Sequence, residues 1–195
     1  MKTGIVTALA LAFAAQVHAQ GIADDRKTAF PEAFTGDVVL WMNGEYAFGA
    51  SNDMTILKRT EQGFRFVYIN KPMVFEGDAD GEFGSKRKSA RCEYDIPRAL
   101  GLRILGTARA VVRKLGDKDD PNAPLGAHYE FFVRDAAKKR HGRIANPQDD
   151  SEPAMLAVVL TPFDHMCPQG VAYRDGNLEA SLGELERRLQ REKPR

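Results

Sequence analysis

Apolar and polar residues follow a two-residue rhythm along much of the chain from residue 36 onward. Residues 37–42 are rich in β-branched and aromatic side chains and run into Asn43-Gly44. Asn-Gly after such a run predicts a tight hairpin, since both turn positions favour positive φ, with residues 45–48 as the return strand. Residues 54–60 and 64–70 flank Glu61-Gln62-Gly63 and predict a second hairpin. In the latter strand Phe64, Phe66 and Tyr68 fall on one face, and Arg65, Val67 and Ile69 on the other. Further strands are predicted at 89–96, 127–134 and 155–160, the last closed by Pro162.

Two segments read differently. Between 97 and 115, Leu100, Ile104, Ala108, Val111 and Leu115 make a helical stripe. Leu102, Ile104, Gly106, Ala108, Ala110 and Val112 also alternate with Arg103, Leu105, Thr107, Arg109, Val111 and Arg113, and Gly101 and Gly106 each cost a helix about 1 kcal/mol. We favour a long strand leading through a turn-rich stretch at 116–124 into the next strand. From Asn177, by contrast, Leu178, Leu182, Leu185 and Leu189 recur at helical spacing with charges between them, and Pro194 stops the pattern.

The expected fold is therefore mainly β: a small antiparallel barrel or sandwich of about seven or eight strands with a C-terminal α-helix. The alternative is an α+β fold with a helix at 97–115. The expected division is a leader at 1–19, a loose lead-in at 20–35, a β domain at 36–175 and an amphipathic helix at 176–193.

The leader changes the picture of where the chain works. Lys2 is its sole charge, residues 5–15 are apolar, and Val17-His18-Ala19 fits a signal-peptidase site. An apolar run of this length is too short to span a bilayer, which needs about 20 residues, and no later run reaches that length. The chain is expected to be periplasmic or secreted after cleavage near Ala19, with no transmembrane segment. In an oxidising compartment the two cysteines, Cys92 and Cys167, are expected to form a disulfide.

Charge is the next discriminator. The whole chain carries 28 Lys plus Arg and 27 Asp plus Glu, which argues against a dedicated DNA-binding protein. Its distribution is uneven: residues 20–85 have a net charge of −5, residues 86–143 of +8, and residues 144–195 of −3. Two basic clusters stand out, Lys86, Arg87, Lys88 and Arg91, then Lys138, Lys139, Arg140 and Arg143; Arg103, Arg109 and Arg113 lie between them. Such a segment can bind an anionic ligand or partner protein if its cations converge in space. Otherwise it is a solvated surface paired with the acidic thirds.

Chemical motifs are sparse. Glu76, Asp78, Asp80 and Gly81 match the start of an EF-hand calcium loop, but Arg87 stands where the closing Glu belongs. Asp78 and Asp80 are thus the calcium candidates. Asp164, His165, Met166 and Cys167 bring possible ligands close together, but a metal usually needs three or four, and a disulfide would occupy the thiol. No nucleophile elbow, P-loop, dinucleotide fingerprint or His-Glu-x-x-His occurs. His128, beside Tyr129 and Glu130, and His165 are the catalytic candidates. No cofactor is called for. The leading expectation is an exported, non-catalytic binding module for an anionic envelope component or protein, a monomer or weak homodimer. The alternatives are a small periplasmic or secreted hydrolase with a His-containing site, and an assembly or structural factor docking through the C-terminal helix.

Overall fold

The computed structural model describes residues 35–46, 49–72, 90–116, 127–136, 138–161 and 175–191. Six strands form one antiparallel sheet: β1 (Val38–Tyr46), β2 (Gly49–Arg59), β3 (Gly63–Pro72), β4 (Ala90–Pro97), β5 (Ala127–Asp135) and β6 (Lys138–Ala145). Their spatial order is β4-β3-β2-β1-β5-β6. Among the described residues three helices accompany them: α1 (Arg98–Leu115), α2 (Glu152–Leu160) and α3 (Asp175–Arg191). The first four strands form a meander. α1 then crosses the sheet from the β4 edge to the other side of β1, where β5 and β6 complete it. The architecture is α+β with an open sheet, so the expected barrel or sandwich of seven or eight strands gives way to the alternative.

The main departure is α1. The two-residue template puts Leu105 and Val111 on one face with Arg103, Arg109 and Arg113, yet Leu105 and Val111 are buried. Only a helical turn sends Leu100, Ile104, Leu105, Ala108, Val111, Val112 and Leu115 inward together while leaving Arg103 and Arg113 outside. The favoured long strand is therefore corrected to a helix. Its end suits the macrodipole, with Arg113 and Lys114 in the last turn.

The expected strand at 155–160 is likewise a helix, α2. Nearly every residue in it is apolar, because α1 and α3 both pack on it, and a helix that is apolar all round has no period to read. Its start was marked locally: the Ala154 amide donates to Ser151 Oγ at 3.4 Å, and Pro153 sits in the first turn. The Asn43-Gly44 turn is also corrected. β1 runs straight through both residues, with Asn43 opposite Asn52 on β2 and His128 on β5. Central pairing on both sides outweighs the local turn preference. The hairpin at Glu61-Gln62-Gly63 forms as expected: the Thr60 amide donates to the Gly63 carbonyl at 3.0 Å, and the Gly63 amide to Thr60 Oγ1 at 3.1 Å. β6 is a basic stretch with no strand signal of its own; it arises from pairing with β5, from Asp135 opposite Lys138 to His128 opposite Ala145.

One apolar cluster joins the sheet to the helices. Val38, Leu40, Leu57, Phe64, Phe66, Ile96, Phe131 and Val133 supply the sheet side, and the α1 stripe, α2 and all four α3 leucines supply the rest. The opposite sheet face carries Val39, Met54, Ile56 and Val67, which are buried but lie outside this cluster. Central strands are thus apolar on both faces. This explains why Val38-Val39-Leu40 reads as a continuous run rather than an alternation.

Candidate functional site

The basic middle third is distributed over both edges of the sheet and over α1. Arg91 lies on edge strand β4, whereas Lys138, Lys139, Arg140 and Arg143 lie on the opposite edge strand, β6. Five strand spacings of about 4.8 Å place the two edges roughly 24 Å apart. The described parts of the two clusters therefore do not merge. Lys86, Arg87 and Lys88, the calcium candidates Asp78 and Asp80, and the residues His165 and Cys167 all lie outside the described residues.

Several of these cations have structural partners. Arg91 donates to Glu93 Oε1 at 2.7 and 3.1 Å. Across β3, Arg65 grips Asp95 through Nε at 2.6 Å and Nη2 at 2.9 Å, which holds the Asp95 carboxyl below the usual carboxylate range. Arg103 straps α1 to α3, donating to Glu186 at 3.2 and 2.7 Å.

Arg109, Arg113 and Arg140 converge where the β5–β6 hairpin meets the C-terminal half of α1. At its centre is Asp135, the last residue of β5, whose side chain is 19% exposed. Arg113 of α1 donates to its Oδ2 at 2.9 Å, and Arg140 of β6 donates to the same oxygen at 2.8 Å. Arg109 Nε stands 3.8 Å from Oδ1 and donates to the Arg134 carbonyl at 2.9 Å. Nearby, buried Asp37 accepts the Arg59 amide at 3.2 Å and lies 3.9 Å from Arg134 Nε. This end of the sheet gathers Arg59, Arg109, Arg113, Arg134 and Arg140 around Asp37 and Asp135, with Lys138 opposite Asp135 and Lys139 opposite Arg134 in the β5–β6 register. Cations exceed carboxylates within it. Burial, then the neighbouring Arg134 charge, lowers the Lys139 pKa from the ordinary lysine value.

Asp135 and the register that brings it to Arg140 escape a reading by composition. The signal that could find them is the hairpin itself: pairing β5 with β6 across a short turn puts Asp135 among basic residues. Hydrogen bonds from Arg113 first and Arg140 second hold its carboxyl below the ordinary aspartate pKa, near 3.9. A depressed carboxylate stabilises the fold fully above its unfolded pKa and loses that effect as pH falls through the folded value. Urea midpoints measured from pH 6 to pH 2 should therefore fall less steeply in Asp135→Asn than in the wild type. An unchanged pH profile would show that the arginines do not favour the ionised form.

A second polar group sits on the face away from the helices. Glu130 of β5 is buried; its Oε2 lies 3.3 Å from His141 Nε2 and its Oε1 lies 3.6 Å from Arg143 Nε. The His141 ring stacks on Phe132 at 4.7 Å between centroids. His141 is the imidazole that meets this carboxylate. His128 is half-buried one register step away, opposite Asn43 and Ala145. The buried Glu130 carboxylate thus lies between the His141 ring and the Arg143 guanidinium. Among the described residues no group of three or more His, Cys, Asp or Glu could hold a metal ion.

Compared with protein-family models and with curated proteins, the chain matches no family and no relative. Among the described residues no helix is long and apolar enough to cross a membrane.

Proposed function

We propose that this protein is an exported, non-catalytic binding module that recognises an anionic partner through the basic end of its sheet. The observation that carries this reading is the convergence on Asp135 of arginines from two separate elements, with Lys138 and Lys139 on the adjoining strand. Pairing alone does not require three guanidinium groups around one carboxylate. A field from such a cluster reaches about one Debye length, roughly 10 Å at 0.1 M salt, toward an approaching anion.

Heparin, used as a polyanion probe, tests the reading. The mature protein should be retained on immobilised heparin at low salt and elute as salt rises. Lys138→Glu/Lys139→Glu should elute at clearly lower salt, while Arg91→Glu, on the far edge, should elute near the wild type. No retention of the wild type, or equal loss with Arg91→Glu, would overturn the assignment of the binding end.

Export also bears on Cys92. The chain contains two cysteines, Cys92 on β4 and Cys167. We propose that the two form an intramolecular disulfide, closing a loop worth about 4–5 kcal/mol in the chain-entropy account. Unreduced, denatured protein should give no reaction with a thiol reagent and a monomer mass two hydrogens below the reduced form. Two reactive thiols would refute the bond.

A further inference from the structure

Arg109, Arg113 and Arg140 have a geometry that goes beyond general polyanion attraction. Two come from one face of α1 and one from β6, so the helix–sheet packing sets their separation. Asp135 ties them from within. Its carboxylate is 19% exposed, while the side chains of Arg113 and Arg140 are 55% and 51% exposed and that of Arg109 is 29% exposed. The carboxylate therefore lies on the protein side of the guanidinium groups. A guanidinium has five N–H donors. The described hydrogen bonds use one from each arginine: Arg113 Nη2 and Arg140 Nε to Asp135, and Arg109 Nε to the Arg134 carbonyl.

We infer that these three arginines form a receptor for a phosphate monoester, with Asp135 as the positioning residue behind them. Resting on the proposed anion-binding role, this inference names the ligand group. The chemistry favours that group for two reasons. Three guanidinium charges against one carboxylate leave a surplus of +2, which matches a phosphate monoester dianion rather than a monoanionic carboxylate. The oxygens of a tetrahedral anion can also accept from several forks at once, the contact for which arginine is better shaped than lysine. A purely structural network has less reason for this composition. Exposed ion pairs contribute little to stability, and crowding three cations at one carboxylate adds repulsion.

The test uses phenyl phosphate in solution and, separately, phosphatidylcholine vesicles containing 10 mol% phosphatidic acid. Titration calorimetry of the full mature chain should show saturable binding of phenyl phosphate, and little of phenylacetate. Arg113→Gln/Arg140→Gln should weaken it at least tenfold, and Arg109→Gln alone several-fold. If the double variant fails to fold, the single Arg109→Gln variant carries the test. Binding to the vesicles without binding to phenyl phosphate, lost in the same variants, identifies the group as a lipid headgroup. No binding in either arm, or binding indifferent to all three arginines, overturns the inference. Heparin retention that still depends on Lys138 and Lys139 would leave the broader reading intact in that case.

Discussion

Gly101→Val should destabilise the protein by about 3 kcal/mol or more, whereas Gly106→Ala in the same helix should stabilise it by up to about 1 kcal/mol. At Gly101 a Cβ would stand 2.2 Å from Phe64 Cδ2 and 2.7 Å from Phe64 Cβ. Phe64 is 2% exposed in the core, so its ring has no solvent side to move to. α1 lies this close to β3 because residue 101 has no side chain. Valine forces the helix off the sheet and strains every contact along its stripe. Gly106 faces outward, and a Cβ there meets nothing within 4 Å. Alanine at this position removes backbone freedom from the unfolded chain without a clash. Urea unfolding of both variants checks the pair. Equal effects would mean that helix propensity, not approach to Phe64, governs both positions.

The same two glycines show why α1 was hard to read. Along the chain each counts as a helix breaker, and together they tilt an ambiguous segment towards a strand. In three dimensions one is a close-packing position and the other an exposed residue. What decides between them is Phe64, 37 residues earlier in the sequence. α3 had no such ambiguity. Its leucines carry the helical period by themselves, and Leu178, Leu182, Leu185 and Leu189 are all buried. α2 and the run through Asn43-Gly44 depend on neighbours that local pattern cannot supply: two flanking helices in one case, two flanking strands in the other. The basic end was partly legible. Its arginines and lysines stand out by number, but their pairing with Asp135 and the separation of Arg91 from β6 follow from strand order alone.

Leu185→Asp should abolish folding rather than dissociate an oligomer. Leu185 is fully buried and lies in the cluster that joins α3 to α1, α2 and the sheet. The leucine stripe that offered a docking surface along the sequence is thus occupied by the protein's own helices, and Arg103 bound to Glu186 fixes α3 beside α1. Truncation to alanine should cost about 2–5 kcal/mol through lost contacts and a cavity. Aspartate adds an unpaired charge where water cannot reach, and the total exceeds what a domain with about 5–15 kcal/mol of stability tolerates well. Circular dichroism and urea unfolding of Leu185→Ala and Leu185→Asp, each at two protein concentrations, distinguish the cases. A concentration-independent loss of stability that grows from Ala to Asp is the expected result. A folded Leu185→Asp monomer derived from a larger wild-type assembly would instead place the stripe at a subunit interface.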